Sequence, residues 1–375
     1  MEQLCAPLSG EADSQLLDEM SKFASYLRCD PDYSFQVVTY VNGRIVLDAW
    51  GGPHFDSDAL SVPYSVSKNI IGVSIALLVQ RGELDLDERV AEYWPEFGQA
   101  GKKAITVRQL LSHQAGLPDA TPRLTWDELL DHHRAADRLA KERPLWHPGS
   151  AFGYHGITIG NLASELVFRV SGRTLHDFYE QEIRATVGAD FYLGLPDALA
   201  TRRVDVLPMI PPLAQIPERK GSALGSWLMS PRDSVDMNLG NEPRSWRFGH
   251  PAASATGSAR GIALLMAAAV TGIDGAEPLL SRDTIEVVAQ QQVRGYDEVL
   301  DQHDRAHGVV FQKPSAQLAW GGPRSFGHDG AFGAIACADP DSGLAFAYTV
   351  ARGPWPGGAD PRAIRLAGVI GKKSW

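Results

Sequence analysis

The segment Tyr64-Ser65-Val66-Ser67-Lys68-Asn69-Ile70 sets a serine three residues before a lysine at the head of an apolar run. Positions i and i+3 share a helix face, so the Lys68 amine can reach the Ser65 hydroxyl. A serine hydroxyl is a weak nucleophile until a neighbour takes its proton. A buried lysine can take it, because desolvation disfavours the ammonium and draws its pKa towards neutrality. A helix start also offers backbone N–H groups and the positive end of the helix dipole to a developing oxyanion. The chemistry such a pair supports is acyl transfer through a serine ester. Alone, the pair is a common chance match, and a capping serine beside a solvated lysine is the plainer explanation.

Two further segments carry groups of a suitable type. Pro148-Gly149-Ser150-Ala151-Phe152-Gly153-Tyr154-His155-Gly156 is turn-rich and leads into the apolar run 157–171. A tyrosine there can stand at a cleft edge with its hydroxyl turned in, although packing a loop onto a helix is the commoner fate. Phe326-Gly327-His328-Asp329-Gly330-Ala331-Phe332-Gly333 opens a β-rich run, and its glycines permit close backbone approach to a ligand. A tight strand entry with an incidental histidine is the alternative. The G-x-S-x-G elbow, HExxH, a P-loop and a G-x-G-x-x-G turn are all absent. His303 and His307, beside Asp301 and Asp304, read as a polar surface segment rather than a metal site. Cys337, within Ala334-Ile335-Ala336-Cys337-Ala338, reads as a small buried hydrophobe.

Taken in order, these segments resemble the serine β-lactamase and penicillin-binding-protein superfamily, and more closely its class C β-lactamase-like esterases, the family VIII carboxylesterases. Ser65-Val66-Ser67-Lys68 matches the first motif. Tyr154-His155-Gly156 stands where class C enzymes carry Tyr-x-Asn, and His328-Asp329-Gly330 where lactamases carry Lys-Thr-Gly and many esterase-like members carry His-x-Gly. The run from Ile105 to Pro118, with Ser112-His113-Gln114-Ala115-Gly116 inside it, looks like the family's signature helix and loop; Trp146-His147-Pro148-Gly149 and Gly333 through Pro340 are also typical. The likeness extends from about residue 15 to 353.

The resemblance implies a β-lactamase/transpeptidase-like fold and a serine hydrolase that cleaves a small carboxylic ester through an acyl-enzyme. By that analogy Ser65 attacks the carbonyl, and Lys68 and Tyr154 share the roles of general base and acid. The backbone N–H groups of Ser65 and Ala331 form the oxyanion hole. His328 and Gly330 bind substrate, with Trp320 and His155 as further wall residues. His328 replaces the lysine that engages a lactam carboxylate, and Gly156 the asparagine that contacts its amide, so efficient β-lactam turnover is not expected. The alternative is a β-lactamase or peptidase-like amidohydrolase, or an acyltransferase using the same acyl-enzyme. Intact Ser65, Lys68 and Tyr154 argue against a binding protein that has lost catalysis. No cofactor and no metal are implied; the partner is a small-molecule ester, amide or lactone, and a homo-oligomer stays open.

These residues need a frame. Leu16, Leu17, Met20, Phe23 and Leu27 predict an amphipathic helix over 11–28. Ser34–Tyr40 and Arg44–Trp50 flank Asn42-Gly43, a strong hairpin signal. Residues 68–81 form a long apolar helix pattern ended by Gly82, and 157–171 another closed by Gly172. From about 86 to 240 the pattern is mostly helical, with Thr106 as a cap; 201–240, rich in proline and methionine, reads as a lid, a substrate-lining segment or a plain surface loop. An Ala-rich helix covers 258–272. β patterns return at Gly308–Gln312, Gln317–Trp320, Phe332–Ala338 and Leu344–Val350, the last two joined at Asp341-Ser342-Gly343. Strands at both ends and helices between suggest one sheet built from the two ends with a helical insertion. With the resemblance this implies an α/β (α+β) class: one domain over 1–375, an antiparallel sheet from about 1–85 and 250–375 flanked by helices, and a helical subdomain (about 86–249).

The bulk properties narrow the setting. The chain has 375 residues, a formal net charge of −10 and no basic run beyond the pairs Lys102-Lys103 and Lys372-Lys373, so nucleic acid is not expected as a partner. Cysteines 5, 29 and 337 are sparse and unpaired in spacing, which suits a reducing compartment. The first residues carry no signal-like pattern, and the longest apolar runs, Ile70–Val79 and Ile262–Val270, fall short of a membrane span. The expected location is cytoplasmic.

Overall fold

The computed structural model describes residues 14–212, 223–229 and 238–372. Five antiparallel strands run in the order β2-β1-β5-β4-β3, where β1 is Phe35–Val41, β2 Arg44–Gly51, β3 Phe326–Asp329, β4 Ile335–Asp339 and β5 Leu344–Val350. β1 turns into β2 at Asn42 and Gly43, whose φ angles of +48° and +75° are the left-handed pair a two-residue hairpin needs. The two ends of the chain meet in the middle of the sheet, with Phe35 opposite Val350.

Both faces of the sheet are buried, and residue size separates them. Ala336, Ala338, Ala345 and Ala347 face the Ala-rich helix Ala259–Val270, and belong to the same core as the helix Lys68–Gln80. The alternate residues Ile335, Cys337, Phe346 and Tyr348 face a second core with Phe23 of the helix Ser14–Cys29, Leu366 of the helix Pro361–Ile370, and Trp320. Fully burying one such large side chain contributes roughly 1.5–3 kcal/mol, so the sheet is clamped from both sides. Helix Lys68–Gln80 is buried from Lys68 through Leu78, as an all-round apolar helix must be, and Gly82 stops it at φ +69°. Thr106 caps the short helix Val107–Leu111 in a reciprocal box with Gln109, at 3.2 and 3.1 Å. Helix Thr158–Ser171 ends at Gly172, φ +71°.

Three expectations need correction. Gly308–Gln312 is not a strand: Val310 sits at φ +66° and donates to the Leu111 carbonyl at 2.7 Å, so the segment plugs into the helical side and only Gln312 bridges to Gly327. Gln317–Trp320 is a loop whose Leu318 and Trp320 both turn into the second core. Phe332–Ala338 is split at Gly333, φ +97°, into a two-residue bridge and β4. Conversely, Val293–Asp297 and Gln302–His307 pair as a hairpin that their polar composition conceals. Of the 201–240 stretch, 213–222 and 230–237 lie outside the described residues, as does Cys5; Cys29 and Cys337 are free thiols. Among the described residues no helix is long and apolar enough to cross a membrane.

Candidate active site

Ser65 lies in a single tight turn, Tyr64–Ser67, that runs directly into helix Lys68–Gln80. Ser67 braces the turn, donating to the Tyr64 carbonyl at 2.5 Å and accepting from the Ala255 N–H at 3.2 Å. Lys68, 0% exposed, points its Nζ to within 3.0 Å of Ser65 Oγ and 2.7 Å of the Ala252 carbonyl. That carbonyl belongs to a turn pinned by His250, which takes the Ala252 N–H on Nδ1 and donates from Nε2 to Asn161. Tyr154 donates its phenol hydrogen to Ser65 Oγ at 2.9 Å. With Lys68 neutral, its amine lone pair can accept the serine hydrogen while the phenol donates to the serine oxygen and one amine hydrogen goes to the Ala252 carbonyl.

The electrostatics favour that neutral state. Burial pushes the Lys68 pKa well down, against a smaller opposing pull from the Asp329 carboxylate. Burial raises the Tyr154 phenol well above its ordinary value, with the hydrogen bond to Ser65 opposing.

Tyr154 is held by its own backbone. Asp297, at the end of the polar hairpin, accepts on Oδ1 from the N–H groups of Tyr154, Val299 and Leu300 at 3.1, 2.9 and 2.8 Å. Burial raises the Asp297 pKa, and those three bonds oppose it. His155 accepts the Leu117 N–H on Nε2 at 2.8 Å, so its proton is on Nδ1, which donates to the Gly153 carbonyl at 2.6 Å. Four imidazoles cluster around this segment: the rings of His113, His307 and His328 lie 5.1, 6.0 and 5.8 Å from that of Tyr154, and His155 packs behind His113 at 5.6 Å. Burial lowers the pKa of each, His155 to about 4, so all four are neutral near pH 7. They do not converge as ligands; among the described residues no group of His, Cys, Asp or Glu could hold a metal ion.

The third segment comes from the sheet. Gln312 Oε1 accepts the Asp329 N–H at 3.0 Å and fixes the end of β3. At Gly330 a Cβ would lie 2.3 Å from the Pro63 carbonyl, so only glycine lets this strand end rest on the turn that carries Ser65. Ala331 follows, and neither its N–H nor that of Ser65 is engaged by another group among the described residues.

The beta-lactamase family model matches residues 23–369. The chain belongs to the beta-lactamase family. The esterase/beta-lactamase LipL of Mycobacterium tuberculosis is 30% identical over 369 residues, covering 90% of this chain and 81% of that protein. The structure of EstA from Arthrobacter nitroguajacolicus superposes with a TM-score of 0.90 at 38% identity, covering 98% of both chains. A family VIII carboxylesterase gives a TM-score of 0.86 at 29% identity, covering 96% of this chain and 99% of its own. Carboxylesterases and other hydrolases of the beta-lactamase family are thus the neighbours of this enzyme.

Against that family background, the structure brings Ser65, Lys68, Tyr154, His328, Gly330 and Ala331 together. It does not bring Trp320, which is 0% exposed in the second core across the sheet, because its loop docks there. Nor is His155 a wall: it is fully buried, and both ring nitrogens are occupied by the backbone. His307, expected at the surface, is 0% exposed beside Tyr154. Asp297 and Ala252 were also not singled out by sequence. Nothing in the local pattern marks them, since their roles depend on which distant turn they meet.

Proposed function

We propose that the protein is a serine carboxylesterase that hydrolyses small carboxylic esters through a Ser65 acyl-enzyme. The observation that carries this reading is the convergence of Lys68 Nζ and the Tyr154 hydroxyl on Ser65 Oγ, at 3.0 and 2.9 Å. Neutral Lys68 takes the serine proton as Oγ attacks the ester carbonyl. The amides of Ser65 and Ala331 hold the oxyanion. Tyr154 gives its proton to the departing alkoxide and regains one from Lys68, so the step yields acyl-serine and free alcohol with all protons accounted for. Water then attacks the acyl carbonyl and passes its proton to the same pair, which returns it to Ser65 Oγ as the acid leaves. The raised phenol pKa favours Tyr154 as the neutral shuttle and Lys68 as the base.

Esters fit better than β-lactams. His328 is neutral and buried where a lactamase has a cation, and Gly156 presents no side chain towards an amide. The carboxylesterase neighbours support the same choice. A cytoplasmic location fits the free Cys29 and Cys337.

Short-chain p-nitrophenyl esters and a fluorophosphonate probe test the reading. Wild-type protein turns over the ester and takes one phosphonyl group at Ser65, whereas a folded Ser65→Ala variant does neither. Undiminished turnover by Ser65→Ala would overturn it.

A further inference from the structure

The two amides assigned to the oxyanion come from distant parts of the chain, Ser65 from the turn ahead of helix Lys68–Gln80 and Ala331 from the loop after β3. Two aromatic side chains bridge them. Tyr64 immediately precedes Ser65, Phe332 immediately follows Ala331, and their rings stack with centroids 4.4 Å apart and planes 15° from parallel. Tyr64 also holds φ at +50°, a left-handed conformation that bulky residues avoid and that persists only where the surroundings enforce it. That dihedral aims the peptide that donates the Ser65 N–H. Beyond the stack, the Tyr64 hydroxyl donates to Asn238 Oδ1 at 3.0 Å. On the opposite side the Ala331 N–H lies in the peptide whose Gly330 carbonyl accepts from the Gly333 N–H at 3.2 Å, and the Ala331 carbonyl accepts from the Gly358 N–H at 2.9 Å, so the peptides on both sides of Ala331 are fixed as well.

We propose that the Tyr64–Phe332 stack aligns the oxyanion hole: it maintains the strained turn at Tyr64 and sets the spacing between the Ser65 and Ala331 amides. The inference rests on the acyl-enzyme reading above. Neither side chain touches the reacting atoms, so both are positioning residues. Donors of this kind act only where the oxyanion will form, and their effect falls when they are misplaced. Every acyl group puts its oxyanion in the same place. Loss of the stack therefore lowers kcat for all esters alike and leaves KM nearly unchanged. A side chain that lined the acyl pocket would instead change KM and the preference between chain lengths.

The test is steady-state hydrolysis of p-nitrophenyl acetate and butyrate by wild type, Phe332→Ala and Phe332→Tyr, with Ser65→Ala as control and thermal melts to verify folding. Phe332→Ala is expected to lose about 10–100-fold in kcat, less than removal of a whole donor, by the same factor on both esters. Phe332→Tyr, which can still stack, restores the rate, and affinity for an alkylboronate transition-state mimic falls in parallel with kcat. If Phe332→Ala does not fold, Phe332→Leu keeps the apolar bulk without the stack and takes its place. Wild-type kinetics, a loss confined to KM, or a changed acetate-to-butyrate ratio would overturn the alignment role while Ser65→Ala stays inactive. An active Ser65→Ala would sink the acyl-enzyme reading itself.

Discussion

Lys68 carries its chemistry in its burial. Its side chain is fully enclosed, its hydrogen-bond neighbours at 3.0 and 2.7 Å are a hydroxyl and a carbonyl, and among the described residues no carboxylate pairs with it. An ammonium in that setting would be a poorly compensated charge, so burial favours the neutral amine that the proposed mechanism uses as its base. Lys68→Met, of similar length and apolar, is therefore expected to melt at or above the wild-type temperature while ester hydrolysis falls by about 10²–10⁴, the usual contribution of a general base. A variant that melts lower yet retains activity would contradict this account. At this scale Ser65, Lys68 and Tyr154 were legible because each sits in a short recurring pattern. His307 and Asp297 were not, because the stretch between them, from Glu298 to Arg305, is mostly polar and only the tertiary docking of their hairpin buries them.

The hairpin Val293–His307 shows how an element can matter without a motif. From one end it offers Asp297 to three backbone N–H groups, including that of Tyr154, and from the other it lays His307 against the Tyr154 ring. Asp297→Ala would strand those three donors, at about 1–3 kcal/mol for each buried group left unpaired. The expected outcome is a lower melting temperature and a kcat reduced about tenfold or more, with Asp297→Asn, which retains an acceptor oxygen, recovering most of both. Equal losses in the two variants would argue against the acceptor role. Elements with local punctuation were readable in advance: Asn42-Gly43, the Thr106 cap, and the glycines after the long helices. Those set by distant contacts were not, as at Gly308–Gln312, where Val309, Val310 and Phe311 make a short apolar run like a buried strand yet the backbone bonds to Leu111.

For the molecule as a whole, the neutral imidazoles couple stability to pH. His113, His155, His307 and His328 all have pKa values lowered by burial in the folded protein, whereas the unfolded chain protonates them near pH 6.5. Above that pH both states are neutral there and the stability is complete. As pH falls below it, the unfolded chain binds protons that the folded protein refuses, so stability declines until the folded values are reached, about pH 4 for His155. Each such histidine contributes a slope of up to about 1.4 kcal/mol per pH unit. Urea midpoints measured from pH 7.5 down to 5 are expected to fall steadily below about pH 6.5; a flat profile would mean the cluster titrates normally. The architecture itself was legible, since β patterns at both ends with helices between allow one sheet with an insertion. Which face each residue chose was not, because both faces are apolar.

That sheet also governs the order of events during synthesis. The hydroxyls of Tyr33 and Tyr348 lie 2.9 Å apart although 315 positions separate them, and such far-flung pairings form late and slowly. β3, which leads into the loop with Ala331, pairs with β4, β4 with β5, and β5 with β1. On the proposed mechanism, a nascent chain still on the ribosome therefore has its serine and lysine long before the loop that would complete the oxyanion hole, and it is expected to stay inert until its C-terminal strands have emerged.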